Sequence, residues 1–135
     1  MSLVVDTCVL LDVLDADPEF GERSADALNA HADEGLLIAP VSYVDMAPAF
    51  LGDSRMQDDF LGQLGIGLAE EDPRCIALAH AAWHAHVQRK RRGEAQRRPV
   101  ADVLIGACAL AQGGLITRNA RHFRTLFPTL AVIEP

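Results

Sequence analysis

The sequence predicts one α/β domain over residues 1–135, a three-layer α/β/α sandwich whose central sheet holds four to five mainly parallel strands. Two patterns lead to this fold class. Short apolar runs occur at residues 3–5, 36–39, 115–117 and 130–133, and such runs are typical of strands buried on both faces. Longer stretches with apolar residues at helical spacing separate them, and alternating strands and helices form a parallel sheet covered on both sides.

In the first half of the chain, cap and turn residues set the predicted boundaries. Thr7 caps a short helix, and Pro18 starts a second because proline favours the first helical turn. Ser42 opens a third helix, with Asp45 at capping-box spacing from it. The elements predicted here are helices at 8–14, 18–34, 43–51 and 55–64, and strands at 3–5, 36–39 and, more weakly, 65–68.

The second half is predicted to contain the longest helix. Asp72 and Pro73 open it, Pro99 opens the next one, and the pair Gly113-Gly114 ends that one. The elements predicted here are helices at 73–92, 99–112 and 120–126, and strands at 115–117 and 130–133.

The charge is unevenly distributed along the chain. The net charge is −7, but residues 1–72 hold 16 acids and two basic residues, a balance of −14, while residues 73–135 hold 10 basic residues and three acids, a balance of +7. This asymmetry indicates two surfaces with different partners. The overall acidity argues against a protein that coats nucleic acid by charge, but it is compatible with binding at a single patch.

The cysteines and the hydropathy pattern indicate a cytoplasmic protein. Cys8, Cys75 and Cys108 are odd in number, widely spaced and without a CxxC pair, so free thiols in a reducing compartment are expected. No apolar run approaches the roughly 20 residues of a membrane span. We expect neither a signal peptide nor a membrane partner.

Three carboxylates and one amide are expected at the same edge of the sheet. Asp6 follows the first strand, Asp45 starts the helix after the second, Asp102 starts the helix before the fourth, and Asn119 follows the fourth. Each acid also has an alternative explanation at a helix start. Together, however, the carboxylates repel one another unless a hard cation holds them. The cluster therefore predicts a Mg²⁺ site that activates water for attack on a phosphodiester.

Four sequence blocks carry a resemblance to a known family. They are Val5-Asp6-Thr7, Pro40-Val41-Ser42-Tyr43-Val44-Asp45, Val100–Ala107 and Leu115–Phe123. On these blocks the whole chain resembles PIN-domain proteins, most closely the VapC-type toxins of bacterial toxin–antitoxin pairs. The resemblance implies a compact PIN-like α/β fold, an endoribonuclease activity that depends on Mg²⁺ or Mn²⁺, a homodimer and inhibition by a cognate antitoxin.

The resemblance also assigns roles to individual residues. It implies that Asp6, Asp45, Asp102 and Asn119 are catalytic, and that the three aspartates bind the metal. Asp45 stands where the family usually has Glu, and Asn119 lies, with His122 nearby, where many members have a fourth acid. A further expectation is that Thr7 and Thr117 hydrogen-bond the metal-binding carboxylates.

The basic residues are candidates for RNA binding. Six of the chain's 12 basic residues fall within residues 89–98. This segment is either a solvated loop or an edge that contacts phosphates. The residues expected to bind substrate are Arg118, which would hold the reacting phosphate, and Arg91, Arg92, Arg97 and Arg98, which would grip the flanking backbone.

Two other functions remain open at this stage. The altered acids at positions 45 and 119 also fit a catalytically weak or inactive PIN module that binds RNA or a protein partner. A phospho-receiver or haloacid-dehalogenase-like phosphatase also has an acid after an early strand. Those proteins need a lysine at a later strand end, and the only lysine is Lys90; the phosphatase pattern also needs a second aspartate where Cys8 stands.

Overall fold

The computed structural model describes residues 1–93 and 100–135. Its strands are Leu3–Val5 (β1), Leu36–Ile38 (β2), Ile66–Leu68 (β3), Leu115–Ile116 (β4) and Val132–Ile133 (β5). Its α-helices are Thr7–Leu14 (α1), Gly21–Ala30 (α2), Pro40–Asp45 (α3), Ser54–Gln63 (α4), Pro73–Arg91 (α5), Val100–Gln112 (α6) and Ala120–Leu126 (α7).

The strands form one all-parallel sheet in the order β3-β2-β1-β4-β5. The first strand is therefore the central one, with Val4 paired to Leu37 on one side and to Leu115 on the other. Its carboxyl end opens onto the edge where ligands bind in open α/β sheets. The structure confirms the predicted fold class, including the five strands and the parallel pairing.

Two apolar cores cover the two faces of the sheet. Leu3 and Val5 pack into one core with α1, α2 and α4, whereas Val4 packs into the other with α5, α6 and α7. All three side chains are buried, which explains why β1 is apolar throughout instead of alternating. Within the described residues, no helix has both the length and the apolar character needed to cross a membrane.

The helices α6 and α7 approach each other closely at Gly106. A Cβ atom at this position would lie 2.5 Å from the ring of Phe127 and 3.3 Å from that of Phe123. Glycine is required here because both rings fill the space that any larger side chain would need. This contact fixes the position of α7 relative to α6, and so also the distance between Asp102 on α6 and His122 on α7.

Two predicted helices differ from the observed ones. The helix expected at residues 43–51 is wrong: α3 ends at Asp45, and a 3₁₀ turn at Ala47–Phe50 follows. Pro48 lies in the predicted helix interior, where it removes a hydrogen-bond donor and clashes with the preceding turn. Asp45 therefore ends a helix rather than forming a capping box at its start.

The helix expected from Pro18 begins only at Gly21, the first residue of α2. Asp17 accepts hydrogen bonds from the backbone N–H groups of Glu19 and Phe20. These bonds favour a local turn over helix propagation. At its other end α2 stops at Ala30 rather than Glu34.

Candidate active site

Asp6 is a buried carboxylate at the end of the central strand. Its backbone N–H donates to the carbonyl of Ile116, and its side chain is 5% exposed. Asp6 occupies the cap position of α1, yet its side chain makes no capping hydrogen bond. One carboxylate oxygen, Oδ2, instead accepts from Thr117 Oγ1 at 2.7 Å and from Cys8 Sγ at 3.3 Å. The capping explanation for Asp6 is therefore wrong.

The surroundings of Asp6 disfavour its negative charge. Burial raises the pKa of the Asp6 carboxyl, and the charge of Asp102 raises it further. Hydrogen bonds from Thr117, Cys8 and the backbone N–H of Thr7 act in the opposite direction but do not cancel the rise in pKa. A carboxylate in this position is stabilised by a cation, because a nearby positive charge offsets both the burial and the repulsion.

Cys8 acts at this site as a hydrogen-bond donor and not as a nucleophile. Burial, together with the charge of Asp6, raises the pKa of the Cys8 thiol to about 11. The thiol is therefore protonated at neutral pH, and thiolate chemistry is disfavoured.

Asp102 lies in the first turn of α6, as predicted, and contacts His122 of α7. The Asp102 side chain is 25% exposed and that of His122 is 11% exposed. Atom Nε2 of His122 lies 3.1 Å from Oδ2 of Asp102. The angle at the His122 ring nitrogen is unsuitable for a hydrogen bond to Asp102, so buried Nε2 has no hydrogen-bond partner among the described residues.

Two other predicted site residues are more exposed than Asp6 and Asp102. Asp45 is exposed at the end of α3, and Asn119 is exposed at the start of α7. Asn119 does reach the site through its backbone, whose N–H donates to Thr117 Oγ1 at 3.0 Å. Within residues 1–93 and 100–135, no three His, Cys, Asp or Glu side chains form a ready-made metal site.

Thr117 and Thr7 differ in how they contact the Asp6 carboxylate. Thr117 makes the predicted hydrogen bond to Asp6. The hydroxyl of Thr7 is buried and has no hydrogen-bond partner in the described part of the chain. Thr7 acts on Asp6 through its backbone N–H instead.

Arg118 has a carboxylate partner inside the protein. Its Nε and Nη2 atoms donate to the two oxygens of Asp12 at 2.6 and 3.1 Å. The guanidinium group also stacks over the ring of Phe20, 4.2 Å from its centroid. The Nε and Nη2 atoms of Arg118 are thus engaged by Asp12, and the predicted role of Arg118 in holding the reacting phosphate stays a prediction. Asp12 itself is buried, with an exposure of only 6%.

The basic segment is described in part. Arg91 and Arg92 are exposed at the C-terminal end of α5. Arg97 and Arg98, together with Pro99, lie outside the described residues. The predicted role of this segment in RNA binding therefore stays a prediction.

The acids present are compatible with one hydrated divalent ion. Mg²⁺ keeps several waters and is commonly held by one or two carboxylates together with substrate phosphates. Asp6 and Asp102 form such a pair, and the raised pKa of Asp6 marks a place where positive charge is stabilising. A closed cage of three or more protein ligands is not present among the described residues.

An apolar cleft of about 340 Å³ lies apart from Asp6, between α3, the segment before α5, and α6. Its walls include Val41, Val44, Ile76 and Leu104. Its rim carries the acids Glu70, Glu71 and Asp72. Val44 and Ile76 are 71% and 47% exposed, so this face has unburied apolar surface of the kind found at protein interfaces.

Several solved structures share this fold. A chain of the VapBC2 complex from Rickettsia felis, bound to a DNA fragment from its promoter, matches with a TM-score of 0.74 at 15% identity; the match covers 99% of this chain and 98% of that one. A chain of DNA-bound VapBC from Salmonella typhimurium matches with a TM-score of 0.70 at 15% identity, covering 99% and 98%. FitAcB from Neisseria gonorrhoeae matches with a TM-score of 0.64 at 18% identity, covering 98% and 96%.

This chain has the PIN-like fold. The resemblance read from the four sequence blocks is thus confirmed at the level of the fold, over the whole chain. The sequence matches no protein-family model and no curated protein. At these identities the structural similarity extends to the arrangement of helices and strands and not to the chemistry of the side chains.

Sequence reasoning missed two features of the site. The ion pair of Asp12 with Arg118 joins residues 106 positions apart, and no local pattern signals it. The contact of His122 with Asp102 joins two helices, and only the position of His122 after the fourth strand pointed towards it.

Proposed function

We propose that the chain is a metal-dependent endoribonuclease and the toxin of a toxin–antitoxin pair. Two independent supports converge on this proposal. The fold is shared with chains of the VapBC and FitAB toxin–antitoxin complexes, and the buried acid Asp6 and the half-buried acid Asp102 lie at the edge of the sheet where this class of fold places its ligands. The reaction is hydrolysis of an RNA phosphodiester by water, which leaves a 5′-phosphate and a 3′-hydroxyl.

One observation carries the catalytic part of the proposal. Asp6 is buried beside the charge of Asp102, and its carboxylate has no basic partner among the described residues. An arrangement that destabilises an acid is costly to the fold, and such arrangements are concentrated at functional sites.

Asp6 and Asp102 would hold one Mg²⁺ or Mn²⁺ ion. Such an ion lowers the pKa of bound water and offsets the charge of the phosphodiester oxygens during hydrolysis. Thr117 fixes the Asp6 carboxylate by donating to Oδ2, and the Asn119 backbone fixes Thr117 in turn. Asn119 is exposed at this edge, and its proposed role is to orient water or substrate. Asp45 stays a candidate third acid, which reaches the ion directly or through water.

Cleavage of a total RNA pool by the purified chain, freed of any partner, tests the catalytic proposal. We expect cleavage with Mg²⁺ or Mn²⁺ and none with EDTA, and a loss of at least about 100-fold in Asp6→Asn and in Asp102→Asn, because each removes a metal-binding charge. Asp26→Asn, which changes an exposed acid of α2, is the matched control and should cleave normally. Cleavage that survives both active-site substitutions would contradict the proposal.

RNA binding is proposed to involve the basic segment. The salt dependence of binding reports how many phosphates the protein neutralises. Replacing Arg91, Arg92, Arg97 and Arg98 with alanine should weaken binding of a single-stranded RNA and flatten the plot of log affinity against log salt. An unchanged slope would indicate that the segment is a solvated loop that does not contact phosphates.

The proposed partners are a cognate antitoxin and a second copy of the chain. The similar solved chains come from VapBC and FitAB complexes, and the cleft near Val44 and Ile76 offers apolar surface for a protein partner. Co-expression with the neighbouring open reading frame in the cytoplasm should relieve toxicity and yield a stable complex. Light scattering should give a mass of twice 14.6 kDa for the toxin alone. Continued toxicity without co-purification would argue against the antitoxin.

A second candidate function is an RNA- or protein-binding module without catalysis. The exposure of Asp45 and the lack of three converging metal donors among the described residues favour it. A Mn²⁺ titration separates the two functions, because a binding module without a working site should not bind the ion at millimolar concentration.

A further inference from the structure

The contact between Asp102 and His122 has an unusual geometry. Atom Nε2 of His122 is 3.1 Å from Oδ2 of Asp102, a distance that suits a hydrogen bond. The angular requirement is not met, and buried Nε2 is left without a hydrogen-bond partner in the described part of the chain. A buried nitrogen in this state is costly, so the contact needs another explanation.

Two ligands of the same metal ion have this spacing. In octahedral coordination with bonds of about 2.1 Å, neighbouring donor atoms at right angles lie roughly 3.0 Å apart. Their lone pairs then point at the ion and not at each other. The observed distance and the failed hydrogen bond both fit this arrangement.

We propose that His122 Nε2 and Asp102 Oδ2 are neighbouring ligands of one divalent ion, and that the imidazole makes the site prefer Mn²⁺ to Mg²⁺. Asp6 adds negative charge at the same edge, and water fills the remaining positions. The inference rests on the metal site of the proposed function, but it does not require RNA cleavage.

The chemical nature of the donor atoms determines which divalent ion the site prefers. Mg²⁺ is a hard ion that takes oxygen ligands, whereas imidazole suits transition metals. A site with one nitrogen and carboxylate oxygens should therefore bind Mn²⁺ more tightly than Mg²⁺. Co²⁺ should bind more tightly than Mn²⁺, following the general affinity order of divalent metals.

Pulsed electron paramagnetic resonance on tag-free, EDTA-treated protein with added Mn²⁺ tests the proposal directly. Modulation from a coordinated ¹⁴N nucleus is expected in the wild type and should be lost in His122→Gln. The same substitution should weaken Mn²⁺ binding by about tenfold, the scale at which single ligand contacts tune metal sites, with a smaller effect on Mg²⁺. His122→Asp should restore metal binding without the nitrogen signal and lower the ratio of Mn²⁺ to Mg²⁺ affinity.

His84→Gln is the matched control. His80 and His84 are exposed on α5 and spaced by one helical turn, so they are the obvious competing site for a transition metal. The nitrogen signal and the Mn²⁺ affinity should be unchanged in this variant. The wild-type spectrum needs no variant, so the test holds even if His122→Gln folds poorly.

The outcomes separate this inference from the proposed function. Tight Mn²⁺ binding without a ¹⁴N signal would overturn the role of His122 and leave the nuclease proposal intact. A ¹⁴N signal that survives His122→Gln but is lost in His84→Gln would overturn the role too. No Mn²⁺ binding by the wild type would overturn both.

Discussion

Asp6 and Asp12 are two buried acids that differ in how their negative charge is balanced. They are 5% and 6% exposed, and both lie at the N-terminal end of the chain near the loop after β4. Asp12 has a cation within the protein, because Arg118 donates to both of its oxygens and Ser24 adds a third hydrogen bond. Asp6 has neutral donors and an acidic neighbour. The comparison shows that the charge of Asp12 is balanced inside the protein, whereas the contacts that Asp6 makes with the described residues include no cation.

Removing the charge of Asp12 should have the largest effect on stability. In Asp12→Asn the Arg118 guanidinium, which is 30% exposed, loses its counter-charge, which should cost about 2 kcal/mol, less than for a fully buried ion pair. The melting temperature should fall by roughly 7 °C, as followed by urea and thermal unfolding with circular dichroism. The double variant Asp12→Leu, Arg118→Met should recover most of the loss, because an apolar pair of similar volume often replaces a buried ion pair without cost. A loss well below 1 kcal/mol in the single variant would contradict the structural role.

The same substitution at Asp6 should have the opposite sign. Without metal, Asp6→Asn removes a buried charge and its repulsion by Asp102 while keeping an acceptor for Thr117, so a gain of about 1 kcal/mol is expected. In EDTA this should raise the melting temperature by roughly 3 °C, measured by differential scanning calorimetry. Added Mn²⁺ should then stabilise the wild type and not the variant, because only a ligand that binds the native state shifts the melting temperature. A destabilised variant in EDTA would contradict the claim that the charge of Asp6 destabilises the metal-free protein.

The pH dependence of stability should carry the same sign. Burial raises the pKa of Asp6 above its ordinary value of 3.8, so the folded protein holds this proton more tightly than the unfolded chain does. The metal-free wild type should therefore lose stability relative to Asp6→Asn as the pH rises from near 3.8 through the raised pKa, and the difference should then level off. Urea unfolding of both proteins across this range measures it. A constant difference across the whole range would show that the pKa of Asp6 is not raised.

Asp45 should show the smallest effect on stability. It is exposed, so Asp45→Asn should change the free energy of unfolding by less than about 0.5 kcal/mol. If it acts on the ion as the sequence predicts, RNA cleavage should still fall about tenfold, a typical effect of an outer metal contact. Asp59→Asn, another exposed acid, is the control. Equal cleavage by both variants would remove Asp45 from the site.

Much of the fold was predictable because its signals are local. Strand β1 is apolar throughout since both faces are buried, and α7 was predicted at its observed bounds, Ala120–Leu126. The break after Asp45 was also signalled locally, by Pro48, because a proline in a helix interior removes a backbone donor and clashes with the preceding turn. The prediction of one helix over 43–51 did not take this signal into account.

The site was predictable only where topology alone decides it. Asp6 and Thr117 meet because their strands are neighbours in a parallel sheet. The partners of Asp12, Arg118 and His122 depend on how helices pack and which rotamers they allow. Neither property can be read from the spacing of residues in one sequence.

The close contact at Gly106 controls the spacing between the two proposed metal ligands, Asp102 and His122. Gly106 lies one helical turn after Asp102, and its missing side chain allows the Phe127 ring to sit against α6. A methyl group there would force the two helices apart, since packed interiors yield little to added volume. In the proposed metal site the donor atoms of Asp102 and His122 would remain the same while their spacing increased, so a substitution in the core would change the preference for one ion over another without a change of ligand.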